Sequence, residues 1–312
     1  MKKEKIYEAI ENDIMNGNLD EVTKNKMLKN LMKLKEQKIN IMITGATGCG
    51  KSSTINALFN TDVAKVGVGV DPETMEIEKY ELDNLILWDT PGLGDGKEAD
   101  NRHAKNIIKK LAEVDENGKA LIDLVLVILD GGTRDLGTSY ELINSVIIPN
   151  LGKEKDKRIL VAINQADMAM KGRNWDYEKN EPNQQLVEFL EAKVRSVKER
   201  VKEATGVDIE PIYYSAGYKE VGVDQSRPYN LSKLLYYIVK ATPSEKRVVY
   251  VDNINDDPQM WKDDDELMDY TKETKESIWQ TILDLASAAG KTILRTVTSI
   301  WDGVCSVFSI FF

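Results

Sequence analysis

Gly45-Ala46-Thr47-Gly48-Cys49-Gly50-Lys51-Ser52 decides how the rest of the chain is read. It has the form G-x-x-x-x-G-K-S. An apolar run, Ile39 to Ile43, precedes it, and a helix-forming run, Ser53 to Phe59, follows it. Strand, loop and helix in that order are what a phosphate-binding loop requires. Glycines let the backbone curl so that successive N–H groups point at one anion. The helix opening near Gly50 adds the positive end of its dipole. Lys51 supplies a mobile charge for outer phosphates, and the Ser52 hydroxyl can ligate Mg²⁺.

Working outward from this loop, apolar runs alternate with helical patterns. Glu76 to Leu82 and Leu85 to Trp88 read as an antiparallel hairpin turned at Asp83-Asn84. Leu121 to Leu129, Arg158 to Ile163 and Ile209 to Tyr214 read as buried strands. Helices are expected over 99–115, 139–148, 183–204 and 231–241, with a polar insertion at 168–182. This alternation predicts an α/β domain over 38–242. Its sheet is expected to be mostly parallel and six-stranded, with helices on both faces.

Three more stretches fall where strands end, which is where open α/β sheets bind ligands. Asp89-Thr90-Pro91-Gly92 offers a carboxylate for Mg²⁺, held through water, and a Gly92 N–H for a γ-phosphate. Asn164-Gln165-Ala166-Asp167 offers a carboxylate that can accept from the N1–H and 2-amino group of guanine, donors that adenine lacks. An unmet buried partner is a strong discriminator. Ser215-Ala216 offers backbone to guanine O6.

The ordered set of G-x-x-x-x-G-K-S, a switch Thr, D-x-x-G, a variant of N-K-x-D and S-A resembles the small GTPases of the translation-factor class. The loop with Asn56-Ala57-Leu58-Phe59 behind it is most similar to the Era/TrmE/septin grouping, in its prophage-type Era-like branch, and also resembles the immunity-related GTPases. The resemblance spans roughly 38–242. It implies a P-loop GTPase fold that binds GTP and GDP with Mg²⁺. By that resemblance the nucleotide lies on Gly45, Thr47, Gly48, Cys49, Gly50, Lys51, Ser52, Ser53, Gly92, Asn164, Asp167, Ser215 and Ala216, and the metal on Ser52, Thr74 and Asp89.

This chain departs from the family pattern at several positions. Gln165 stands where the family has a Lys whose stem covers the base and whose ammonium braces the phosphate loop, so weaker or faster-exchanging nucleotide is expected. Leu93 follows Gly92 where Ras-like proteins have a water-orienting Gln. Gly48 replaces an Asn that supports potassium-activated hydrolysis in some relatives. No residue is therefore assigned to the attack by water. Slow basal hydrolysis, completed by a partner or by dimerisation across the nucleotide face, is expected. Arg134 reads as a solvated loop residue rather than a trans-acting group, and His103 as surface or helix packing rather than catalytic. Two functions stay open: a slow GTPase switch, and a GTP-dependent assembly or membrane-associated protein with negligible turnover. ATP as ligand is a weaker third.

Composition bounds the rest. A net charge of −10 opposes nucleic acid as the main partner, because phosphate neutralisation needs a cationic face. Cys49 and Cys305 are far apart and suggest no disulfide framework, and a single histidine makes a zinc site unexpected. No apolar run follows the charged start Met1-Lys2-Lys3-Glu4-Lys5, so a cytoplasmic protein is expected, peripheral to a membrane if the tail binds one. Residues 1–37 predict a helical hairpin, 243–264 an acidic, solvated linker, and 265–312 a helical segment with an apolar tail. The two ends are expected to form a small helical domain. The tail, Thr292 to Phe312, reads as bundle core, as a membrane-surface or partner-binding helix, or as a span at the short edge of the ~20 residues a bilayer needs.

Overall fold

In the computed structural model, which describes residues 6–59, 76–94, 96–218 and 226–287, the phosphate loop leaves an inner strand of a six-stranded sheet. The strands are β1 (Ile39–Gly45), β2 (Glu78–Leu82), β3 (Leu85–Asp89), β4 (Leu124–Asp130), β5 (Ile159–Asn164) and, further along the chain, β8 (Ile212–Tyr213). Their order is β2-β3-β1-β4-β5-β8, with β2 antiparallel and every other pair parallel. β1 and β5 are buried at every position and β4 at all but its last, as parallel strands covered on both faces must be. The register pairs Ile43 with Asp89 and with Leu126, and Asp130 with Asn164. The chemistry-bearing strand ends thus meet along one edge.

Alternation within the strands sorts the core into two layers. Ile41, Ile43 and Leu126 pack with Ile55 and Leu58 of α3 (Lys51–Leu58) and with Leu234 and Ile238 of α7 (Leu231–Ala241). Met42, Val125 and Val127 face Ile107 of α4 (Lys97–Leu111) and Leu186 and Leu190 of α6 (Gln184–Thr205). Each such side chain contributes about 1.5–3 kcal/mol by leaving water.

Two elements differ from expectation. The last strand pairs only at Ile212 and Tyr213, not over 209–214. Pro211, just before it, has no N–H to give the ladder. The helix expected over 139–148 is a short α5 (Gly137–Glu141), then a π-helical turn over Leu142–Ile147 and a 3₁₀ turn over Ile148–Asn150. The wider turn keeps Leu142, Ile143, Val146 and Ile147 buried, and Pro149 cannot continue an α-helical ladder. The insertion at 168–182 carries a two-stranded ribbon, β6 (Trp175–Asp176) with β7 (Glu181–Pro182).

The helices described before β1 pack against the segments described after α7. α1 (Ile6–Asn16) and α2 (Glu21–Lys35) form the expected hairpin. Asp20 caps α2 by accepting from the Thr23 N–H at 3.0 Å. Met27, Leu31 and Leu34 of α2 join the same core as Val248 to Val251, and α2 also contacts α8 (Tyr270–Ser287). The acidic stretch read as a solvated loop is packed in part, with Asp256 and Asp257 exposed. Val248, Val249, Tyr250 and Val251 form a buried 3₁₀ segment, Lys233 pairs with Asp265 at 2.6 Å, and Asn180 donates to Asp263 at 2.9 Å. The number of acids hid a short apolar run and the cations waiting for them. Thr74 and the tail 292–312 lie outside the described residues. Among the described residues no helix is long and apolar enough to cross a membrane.

Candidate functional site

The loop after β1 closes into a cup because Gly48 (φ 78°) and Gly50 (φ 89°) adopt left-handed backbone. At Gly50 a side chain would also run into the Asn164 amide. Cys49 points inward and is fully buried, and burial pushes its thiol pKa up. Its backbone, not its sulfur, faces the site. Lys51 turns back on the rim, with Nζ 3.3 Å from the Ala46 carbonyl and 3.5 Å from that of Gly45. Contacts this long give way readily to a phosphate oxygen, which makes a stronger charge-assisted bond. One turn along α3, the Thr54 hydroxyl donates to the Gly50 carbonyl at 2.8 Å. Its single proton is then committed, so the buried Tyr214 hydroxyl, 2.6 Å away, is the donor to Thr54.

Asp89 ends β3 beside this cup, 1% exposed. Neither of its carboxylate oxygens has a hydrogen bond of good geometry among the described residues. Burial pushes its pKa up to about 6. The Lys51 ammonium pulls it back, Glu78 adds repulsion, and the nearby Ser52 hydroxyl also lowers it. A buried carboxylate without donors is costly unless a cation completes it. Asp89 and Ser52 are therefore a fitting pair of oxygen donors for Mg²⁺. No group of three or more His, Cys, Asp or Glu side chains that could hold a metal occurs among the described residues.

The guanine-reading stretch is wired to the cup. Asn164 Nδ2 donates to the Cys49 carbonyl at 2.9 Å, and its Oδ1 accepts from the Ala216 N–H at 2.9 Å. The Ser215 hydroxyl donates to Asp167 Oδ1 at 2.7 Å. All four expected residues thus come together within one hydrogen-bonded group. Gln165, in left-handed backbone (φ 59°), donates from Nε2 to the Gly48 carbonyl at 2.8 Å. The brace expected to be missing with the family's Lys is present in neutral form. The amide is long enough to reach the same loop.

Two supports were not anticipated. Lys193 on α6 donates to the carbonyls of Asp130, Gly131 and Thr133 at 3.1, 2.8 and 2.6 Å. It fixes the loop whose Gly131 N–H donates to the Asn164 carbonyl at 2.7 Å. Burial lowers its pKa. The signal lay in the sequence: Lys193 continues the buried stripe of Leu186, Leu190 and Val197. Asn180, from the insertion, donates to the carbonyls of Arg227 and Pro228 at 3.1 and 3.0 Å, tying the ribbon to the approach of the Ser215 loop. Nothing in its spacing announced this.

The second strand end lies on the first. Thr47 N–H donates to the Leu93 carbonyl at 3.0 Å, and Leu93 N–H to the Gly45 carbonyl at 3.3 Å. Gly92 is pressed so close that a Cβ there would lie 2.6 Å from the Thr47 Cα. His103, read as surface or helix packing, is buried on α4. Its Nδ1 lies 3.2 Å from the Gly92 carbonyl, which can only accept, so the proton sits on Nδ1. Asp100 accepts from the Gly94 N–H at 2.9 Å. Arg134 is exposed, in keeping with a solvated loop.

Residues 40–165 match the sequence profile of the family described as "50S ribosome-binding GTPase". The chain is 33% identical to interferon-inducible GTPase 1 of Mus musculus over 97 residues, 29% of this chain and 23% of that protein. It is 29% identical to the probable GTP-binding protein EngB of Methanococcus aeolicus over 124 residues, 36% of this chain and 53% of that protein. The chain thus spans between a quarter and about half of these relatives' length. Among solved structures, Toc33 of Arabidopsis thaliana in complex with GDP and Mg²⁺ aligns with a TM-score of 0.44 at 17% identity, covering 79% of this chain and all of that one.

Proposed function

Because this chain carries a P-loop GTPase domain of the Era-like and TrmE-like grouping, we propose that it binds GTP and GDP with Mg²⁺ and converts one to the other slowly, as a nucleotide-controlled switch or assembly protein. The observation that carries this reading is the pair of bonds at Asn164, which donates to Cys49 on one side and accepts from Ala216 on the other. One side chain joins the place for phosphates to the place for a base. Asp167, held by Ser215, would accept from guanine, while Asp89 and Ser52 would hold Mg²⁺ against the outer phosphates. Bound Mg²⁺ would neutralise charge on the phosphates. Lys51 would do the same from the protein side, and Gly92 would sense the γ-phosphate through its N–H.

Calorimetric titration with GDP, GTP and ATP tests the ligand. Guanine nucleotides are expected to bind and ATP to bind far more weakly. In Asp167→Ala the guanine preference should disappear. Tight ATP binding that is indifferent to this substitution overturns the assignment.

A second reading rests on Leu93, an apolar side chain where an attacking water would need a polar partner. It makes the protein a GTP-dependent assembly factor with negligible turnover. Phosphate release measured against protein concentration separates the two. A rate per molecule that climbs with concentration supports catalysis completed at a dimer interface across the nucleotide face. No release at any concentration favours the assembly factor. Attachment to a membrane surface or a protein partner belongs, in this proposal, to the apolar tail.

A further inference from the structure

A helix leaves its last four carbonyls without intrahelical donors. For α3, the helix that begins at the phosphate loop, those are Ile55, Asn56, Ala57 and Leu58. Phe59 N–H takes the first. The other three are all taken by one residue nearly two hundred positions later in the chain. Asn255 donates its backbone N–H to the Leu58 carbonyl at 2.9 Å, and its side-chain Nδ2 to those of Ala57 and Asn56 at 3.1 and 3.3 Å.

Asn255 is itself held at both remaining polar atoms. Its Oδ1 accepts from the Asp257 N–H at 2.9 Å, and its carbonyl from the Trp261 indole at 2.9 Å. Next to it, Ile254 and Phe59 form an antiparallel bridge, and both are buried. Trp261 is 6% exposed and belongs to the same core as α7. The Trp261 carbonyl also accepts from the Ser232 hydroxyl of that helix at 3.3 Å.

We propose that Asn255 is the positioning residue through which the segment after the nucleotide domain reads the state of the phosphate loop. The inference rests on the nucleotide-binding function proposed above. α3 is a short helix of eight residues. Its first turn receives the phosphates and its last turn ends in the hand of Asn255. A shift or stiffening of α3 on ligand binding reaches Asn255 without an intervening loop. From there it passes to Trp261 and to the packed 3₁₀ segments that join the nucleotide domain to α8. Coupling of this kind is reciprocal, so Asn255 also tunes the loop's grip. A capping role alone would stabilise α3 but would leave the segment 254–261 indifferent to nucleotide.

The test is backbone hydrogen exchange on the full chain, with and without saturating Mg²⁺–GDP, for the wild type, Asn255→Ala and Trp261→Phe. The wild type should gain protection both at 45–52 and at 254–261. In Asn255→Ala the gain at 254–261 should fall at least threefold while that at 45–52 persists, and the affinity for GDP should drop roughly fivefold to thirtyfold. Trp261→Phe, which stays aromatic and removes the indole bond to Asn255, should lose part of the same gain, and it carries the test if Asn255→Ala does not fold. Protection at 45–52 that never extends to 254–261, or that extends equally in the variants, overturns the proposal. GDP that protects neither segment in the wild type overturns the nucleotide-binding reading, and this proposal with it.

Discussion

The Asn164 side-chain amide donates to the Cys49 carbonyl at 2.9 Å, so the end of β5 holds the phosphate loop shut from the side. The same side chain orders Ala216 through its oxygen. Asn164→Ala removes both bonds from a buried site, where unmet partners cost about 1–3 kcal/mol. Affinity for GDP is expected to fall roughly tenfold to a hundredfold by calorimetry. A loss below threefold would mean that Asn164 does not organise the site.

Gln165 gives a smaller effect of a definite kind. Its bond to the Gly48 carbonyl is neutral and half exposed, so it is worth about 0.5–1.5 kcal/mol. Gln165→Ala should weaken GDP roughly threefold to tenfold. Gln165→Lys should recover the bond and add cover over the base, tightening binding beyond the wild type. Equal affinities for all three proteins would remove any role for this side chain.

Gly92 lies against Thr47 with no room for a methyl group. Gly92→Ala must therefore push the stretch Asp89 to Gly92 away from the phosphate loop. Binding of a non-hydrolysable GTP analogue should weaken at least tenfold more than binding of GDP if the Gly92 N–H meets the γ-phosphate as proposed. Equal losses for the two nucleotides, read from paired titrations, would contradict the sensor role.

Asp264 gives a pH signature away from the site. Burial pushes its pKa up to about 6 from 3.8. The Ser232 hydroxyl and the N–H groups opening α7 pull it back, and Asp265 adds repulsion. The folded state therefore holds a proton that the unfolded chain releases near pH 4. By linkage this contribution is fully present below about pH 4 and is lost as pH rises to about 6, a fall of about 1–3 kcal/mol. Asp264→Asn lacks that fall. Its stability relative to wild type, from urea unfolding, should rise between pH 4 and 6 and stay level above. A difference that does not change over that window would show that the carboxyl is not strained.

The loop Gly45 to Ser52 announced itself because a phosphate cup needs glycine backbone at fixed positions, and that need is local. The strands were legible for a similar reason. Leu126 and Val161 lie in unbroken apolar runs, and Ile41 in one interrupted only by Asn40, since a parallel strand is covered on both faces. The short β8 and the π-helical turn were less legible, because they depend on how Pro211 and Pro149 meet a sheet edge and a helix already in place.

The linear order of residues determined which groups the chain owns: a phosphate loop, the carboxylates Asp89 and Asp167, and an amide at Gln165 where a Lys was expected. Only the tertiary structure decided which of them touch. Gln165 reaches Gly48, Lys193 gathers the carbonyls of Asp130, Gly131 and Thr133, and Asn255 closes the helix that the loop begins. Those contacts join positions up to two hundred residues apart. They follow from hydrogen-bond demands left open at strand and helix ends, which no local pattern records and which the packed fold alone can meet.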